Sequence, residues 1–256
     1  MGVLDRFRLE GRVALVTGGN RGLGREMAQA LAEAGADVAL TSQVASRAEE
    51  AAAAIAQTTG RQVRGYACQI TEAEQVTATV ARVVQELGRL DILVNNAGIN
   101  LRGAIETLDP TAFRRVMEVN VTGVWLMCRA AGPHLKASGR GRVINVGSIL
   151  SVVALPERTP YASSKGAVLQ LTRALALEWA PHRITVNAIL PGPFATEMNR
   201  ALLEDPEAYA RFVAQIPLGR WGHLEEIRGV VVFLASDAAS FITGAGIPID
   251  GGWTAR

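Results

Sequence analysis

Short apolar runs alternate with amphipathic stretches from residue 12 almost to the C-terminus. Residues 12–17 are apolar and end in a glycine cluster, and 22–34 then place apolar residues at helical spacing as far as Gly35. The alternation continues with a strand at 37–42, an alanine-rich helix at 45–58 stopped by Gly60, and a strand at 62–69. A helix at 72–87 ends at Gly88, and a strand follows at 91–94. Pro110 opens a long helix to about residue 135. A strand at 142–147, a helix at 160–180 and a strand at 183–189 come next. The stretch 191–222 is looser, with one short helix, before a helix at 224–235 and a last strand at 246–249.

Apolar strands separated by helices predict β-α-β units, a parallel sheet with helices on both faces. Right-handed crossovers favour a doubly wound arrangement. The expected fold is α/β: one Rossmann-like doubly wound parallel sheet of about seven strands in a single domain, 1–256, without linker or repeat. Within it, 191–222 reads as a substrate lid or binding loop. Two helices, 110–135 and 160–180, carry apolar residues nearly all round, including Val116, Val121, Trp125, Leu169, Leu177 and Trp179. A helix packed only on a sheet needs a single apolar stripe. Deep burial or a subunit interface explains the excess. The interface reading predicts a homotetramer, or a homodimer, through these helices.

The formal net charge of +2 is too near zero to point to nucleic acid or an anionic membrane. No apolar run is long enough to span a bilayer and the N-terminus has no secretory pattern. Cys68 and Cys128 are isolated in apolar surroundings, which predicts free buried thiols and a cytoplasmic protein. No residues stand at metal-ligand spacing, so no metal is expected.

The chain has two lysines, Lys136 and Lys165, so 24 of its 26 basic residues are arginine. Lys165 lies four residues after Tyr161, one helical turn away on the same face. A phenol titrates near 10, so a base working at neutral pH needs a shift worth about 4 kcal/mol. An ammonium about 4 Å away at an effective dielectric near 20 supplies about that much. The glycine cluster, Thr17-Gly18-Gly19-Asn20-Arg21-Gly22-Leu23-Gly24, follows the first strand and opens the first helix. Such a turn lets backbone approach a pyrophosphate at a helix N-terminus.

Thr17-Gly18-x-x-x-Gly22-x-Gly24 resembles the nucleotide loop of the short-chain dehydrogenase/reductase family. Asn95-Asn96-Ala97-Gly98, Ser148 thirteen residues before Tyr161, Tyr161-x-x-x-Lys165, and Pro191-Gly192 with Thr196 follow in family order, covering about residues 9–253. The resemblance implies an NAD(P)-dependent oxidoreductase that interconverts a small-molecule alcohol and its ketone. Asn120, Ser148, Tyr161 and Lys165 would be catalytic: Tyr161 as acid/base, Ser148 holding the substrate oxygen, and Asn120 in a water-borne proton relay to Lys165. Alone, Ser148 would read as a strand-end cap and Asn120 as a local bend satisfied by backbone. Thr159 before Pro160 reads as the cap of the Tyr161 helix.

Cofactor contacts are expected from Gly18, Asn20, Arg21, Gly22, Leu23 and Gly24. They are also expected from Ser42 and Gln43 at the end of the second strand and from Gln69 and Ile70 at the adenine. Asn96, Ala97, Gly98, Tyr161, Lys165, Pro191, Gly192, the Phe194 backbone and Thr196 complete the set. A carboxylate after the second strand would bind the ribose of NAD and repel the phosphate of NADP. Ser42 and Gln43 stand there instead, and Arg21 is available to the phosphate, so NADP(H) is slightly favoured over NAD(H).

Arg220-Trp221-Gly222 and the 250–256 tail look like members acting on gluconate-type sugar acids, and Arg102 and Arg158 are either carboxylate anchors or solvated. The apolar 149–155 segment instead suits 3-oxoacyl or other bulky ketone reduction. A non-catalytic cofactor-binding regulator is the remaining alternative.

Overall fold

The computed structural model describes residues 2–199, 202 and 204–255. Arg200, Ala201 and Leu203 of the expected lid, with Met1 and Arg256, lie outside the described residues. Seven parallel strands form one sheet: β1 (Val13–Val16), β2 (Asp37–Ser42), β3 (Val63–Ala67), β4 (Ile92–Asn95), β5 (Arg142–Val146), β6 (Thr185–Pro191) and β7 (Gly246–Ile249). Their order is β3-β2-β1-β4-β5-β6-β7. The chain winds outward from β1 to β3, then restarts on the other side of β1 with β4. Loops leaving β1 and β4 therefore diverge and open a crevice at the carboxyl ends of the strands. The Gly18–Gly24 turn and Asn96–Gly98 lie at that crevice.

Alternation along each strand divides the core in two. Ala14, Val16, Val38, Leu40, Val94 and Ile144 face α1 (Gly22–Glu33), α2 (Ala45–Thr59) and α8 (Arg228–Ala235). Val13, Leu15, Leu93 and Val143 face α3 (Ala73–Leu87), α5 (Gly123–Ser138) and α6 (Thr159–Trp179). Helix ends follow their local signals. Gly60 and Gly88 close α2 and α3 in the left-handed region, at φ 68° and 84°, where a side chain would be strained. Asp109 caps α4 (Pro110–Met117) by accepting from Thr111 N at 2.7 Å.

The expected helix from 110 to 135 is interrupted. Between α4 and α5, residues Glu118–Thr122 form a π-helical turn around Asn120, which is fully buried. Such turns recur at functional sites. Thr159 is not the cap of α6. It is the first residue of that helix, after Arg158, whose side chain makes no capping bond.

Both apolar helices bury one side, through Val124, Met127, Val168, Leu169 and Trp179 among others. Phe113, Trp125 and Leu177 nevertheless stay in solvent at 43%, 47% and 80% exposure. Among the described residues no helix is long and apolar enough to cross a membrane, and no cluster of three metal-ligating side chains occurs.

Candidate active site

The β1–α1 turn is held from the far side of the crevice. Thr17 Oγ1 accepts from Asn96 N at 3.0 Å and Ala97 N at 3.1 Å. Asn96 Nδ2 donates back to Thr17 O at 2.9 Å and Gly18 O at 3.1 Å. A Cβ on Gly24 would sit 2.3 Å from Gly18 O and 2.4 Å from Asn96 Nδ2, so only glycine allows the turn to close this tightly. A Cβ on Gly22 would meet nothing within 4 Å. The N-terminus of α1 carries no side-chain cap, which leaves free N–H groups beside that open face.

Ser148 follows β5 and begins a short 3-10 turn, Ile149–Ser151. Its Oγ accepts from Leu150 N at 3.1 Å, so the capping role read from sequence is present. The same hydroxyl hydrogen-bonds the Tyr161 phenol. Tyr161 is half-buried near the start of α6, and Lys165 one turn on is 4% exposed. Lys165 Nζ donates to Val146 O at 2.7 Å and lies 5.6 Å from the centre of the Tyr161 ring. Burial pulls the Lys165 ammonium down to about 8.

The expected lowering of the phenol by Lys165 is not what this geometry produces. Burial raises the Tyr161 pKa, while the bond from Ser148 and the charge of Arg102 oppose the rise. The ammonium points to the end of β5 rather than to the phenol oxygen.

Asn120 ties the catalytic helix to the loop after β4. Its Oδ1 accepts from Ile99 N at 2.8 Å, and its Nδ2 donates to Ile99 O at 2.9 Å and to Ser164 Oγ at 3.0 Å. Ser164 donates in turn to Tyr161 O at 2.7 Å. Both ends of the amide are thus committed to protein groups, as the backbone-satisfied bend predicted, and its side chain holds the site together. A Cβ on Gly98 would lie 3.2 Å from Asn120 Oδ1 and 3.6 Å from Lys165 Nζ, so these three residues converge.

The remaining expected contacts lie along the same edge. Gln43 Nε2 donates to Gln69 Oε1 at 2.9 Å, joining the ends of β2 and β3 beside the buried Ile70 and Ser42. Gly192 is pressed against Asp250, to whose Cα an added Cβ would approach within 2.6 Å. Phe194 is buried and pairs in parallel with Gly222, while its carbonyl accepts from Thr196 N at 2.8 Å and Asn199 Nδ2 at 3.1 Å. Asn20 and Arg21 line an open cavity of about 390 Å³ with Arg25, Arg47, Glu50, Ala51 and Glu197.

A family model described as enoyl-(acyl carrier protein) reductase matches residues 18–254. The chain belongs to the short-chain dehydrogenase/reductase family. It is 39% identical over 255 residues to a 2-dehydro-3-deoxy-D-gluconate 5-dehydrogenase of Pseudoalteromonas atlantica, covering 99% of this chain and 100% of that one. It is 41% identical to a galactitol 2-dehydrogenase of Cereibacter sphaeroides, covering 97% of each. A gluconate 5-dehydrogenase from Burkholderia cenocepacia, solved with NADP and tartrate, superposes with a TM-score of 0.96 at 38% identity, covering 100% of both chains.

As a family member the protein is an NAD(P)-dependent oxidoreductase acting on CH–OH groups. Its residues fit such a cofactor: the uncapped α1 N-terminus and the open face of Gly22 suit a pyrophosphate. Sequence reasoning missed Ser164, whose position beside Lys165 was the only signal. It also missed Arg47 and Glu197, which local pattern does not single out.

Proposed function

We propose that this chain interconverts a secondary hydroxyl and a ketone on a carboxylate-bearing, sugar-acid-like substrate, with NADP(H) favoured over NAD(H). The observation that carries the reading is the Ser148–Tyr161 pair with the Arg102 charge acting on the phenol. Ser148 Oγ holds the substrate oxygen, and Tyr161 Oη exchanges the proton with it. The bound nicotinamide supplies or accepts the hydride. Lys165 is mostly protonated at neutral pH and contributes a fixed positive charge to the pocket floor. Asn120 keeps Tyr161 and the Ile99 backbone in register. The water relay to Lys165 rests on the family resemblance, and the side-chain amide is not free to carry it.

Arg102 and Arg158 support an anionic substrate. Partial burial, and after it the Arg102 charge, depress Arg158, so two guanidinium groups act on the same region. Arg102 donates to Asn199 Oδ1 at 3.2 Å, which places it at the edge of the expected lid. The apolar 149–155 segment argues less for a bulky ketone than its sequence suggests. Ile149 and Leu150 are buried with Trp221 and Trp253.

The stretch 191–222 serves in this reading as the lid. Its helix α7 (Pro206–Val213) is anchored by Phe212, whose ring lies 5.0 Å from Trp221 and 4.9 Å from Trp253. Exposed Phe113, Trp125 and Leu177 support a homotetramer or homodimer through the 110–135 and 160–180 helices. Two free buried thiols support a cytoplasmic, reducing setting.

The test is a panel of sugar acids, neutral polyols and apolar ketones, run in both directions with both cofactors while following reduced-nicotinamide absorbance. Turnover concentrated on carboxylate-bearing hydroxy compounds supports the proposal. Turnover confined to apolar ketones contradicts the substrate class, and cofactor binding without any turnover supports the regulator.

A further inference from the structure

The cavity at the β1–α1 turn gathers three guanidinium groups. Arg21 is paired with Glu197, 176 residues away, whereas Arg25 and Arg47 have no side-chain partner among the described residues. No carboxylate stands at the end of β2, where Ser42 is buried and its Oγ accepts from Val44 N. Among the described residues, the arginines thus face a space whose carboxylates are Glu50 and Glu197. Glu197 adjoins Thr196, and two residues later Asn199 meets Arg102. One short segment therefore touches the cofactor turn at one end and the Arg102 side of the site at the other.

We propose that Glu197 stands in for the adenosine-ribose phosphate of NADP. It pairs with Arg21, and the phosphate displaces it, which frees the 195–199 segment. The inference rests on the NADP reading above. The exchange is physically cheap because both partners are solvent-exposed, at 66% for Arg21 and 57% for Glu197. An exposed ion pair holds a competing ligand back by roughly two- to fivefold in affinity. A phosphate offers the guanidinium a dianion and a bidentate geometry, so it wins the contest. Arg47 and Arg25 add positive charge that favours the dianion over a single carboxylate. NAD lacks that phosphate and leaves the Arg21–Glu197 pair intact. Glu197 is thus a specificity-determining residue, and cofactor choice is coupled to the segment bearing Thr196.

The experiment titrates wild type, Glu197→Gln and Glu50→Gln with adenosine 2′,5′-bisphosphate and adenosine 5′-monophosphate by calorimetry. Glu197→Gln is expected to tighten the bisphosphate by about two- to fivefold and leave the monophosphate unchanged. Glu50→Gln removes the same charge from the cavity without breaking an arginine pair, and gives a smaller gain. Hydrogen exchange supplies a second readout: the Thr196 and Asn199 amides exchange faster in wild type with the bisphosphate than with the monophosphate. Unchanged bisphosphate affinity in Glu197→Gln, or an equal gain in Glu50→Gln, overturns the exchange while leaving NADP use standing. Equal wild-type affinity for the two nucleotides overturns the NADP reading and the exchange together.

Discussion

Replacing Lys165 with methionine removes a buried positive charge while keeping most of the volume. Lys165 is 4% exposed and its ammonium has one short bond, to Val146 O. Burial alone lowers its pKa from 10.5 to about 8. At about 1.4 kcal/mol per tenfold change in proton affinity, holding the charged form in place costs about 3 kcal/mol near neutral pH. Between the two pKa values the unfolded chain binds more protons than the folded one, so wild-type stability rises with pH across that window. Lys165→Met has no such proton to lose. Urea denaturation of both proteins at several pH values reads the difference. Wild type should gain about 2 kcal/mol on the variant between pH 7 and about pH 9.5. Cys68 and Cys128, raised by burial, act with the opposite sign near the top of this range but are present in both proteins and cancel. A pH-independent difference would refute the claim that an unpaired ammonium is buried here.

Lys165→Arg keeps the charge but brings a bulky planar group into a site that fits an ammonium, so turnover should fall at least about a hundredfold; steady-state kinetics measure it. Gly24→Ala places a methyl against Gly18 O and Asn96 Nδ2, and should cost about 1–3 kcal/mol in thermal unfolding and weaken cofactor binding. Arg102→Ala should raise KM for carboxylate substrates roughly tenfold while sparing neutral polyols. Because the Arg102 charge lowers the Tyr161 pKa, the same variant should move the rising limb of the oxidation pH profile to higher pH.

The strands and their glycine-ended helices were legible because each depends on local signals. Periodicity marks β2 and β7 to the residue, and Gly60 and Gly88 stop their helices by conformation alone. A bend at Asn120 was readable from an asparagine inside an apolar helix, but its partners were not, because they are tertiary: Ile99 and Ser164 take up the amide. The residues expected around Tyr161 do converge, but the state of the phenol depends on burial and on where the Lys165 ammonium points, which spacing does not encode. Ile149 and Leu150, expected along the substrate pocket, are buried in a cluster with Trp221 and Trp253 that also packs against Tyr161, partners that local pattern does not identify. The Arg21–Glu197 pair joins residues too distant in sequence for any local pattern to link.

The central claim is that the Tyr161 hydroxyl moves the substrate proton. Tyr161→Phe removes that oxygen and leaves the half-buried ring and the Lys165 bond to Val146 in place. Its turnover, measured beside NADPH binding by fluorescence titration, decides the matter. The account predicts retained NADPH binding with turnover reduced by about 10²–10⁴-fold. Turnover within about tenfold of wild type would contradict it.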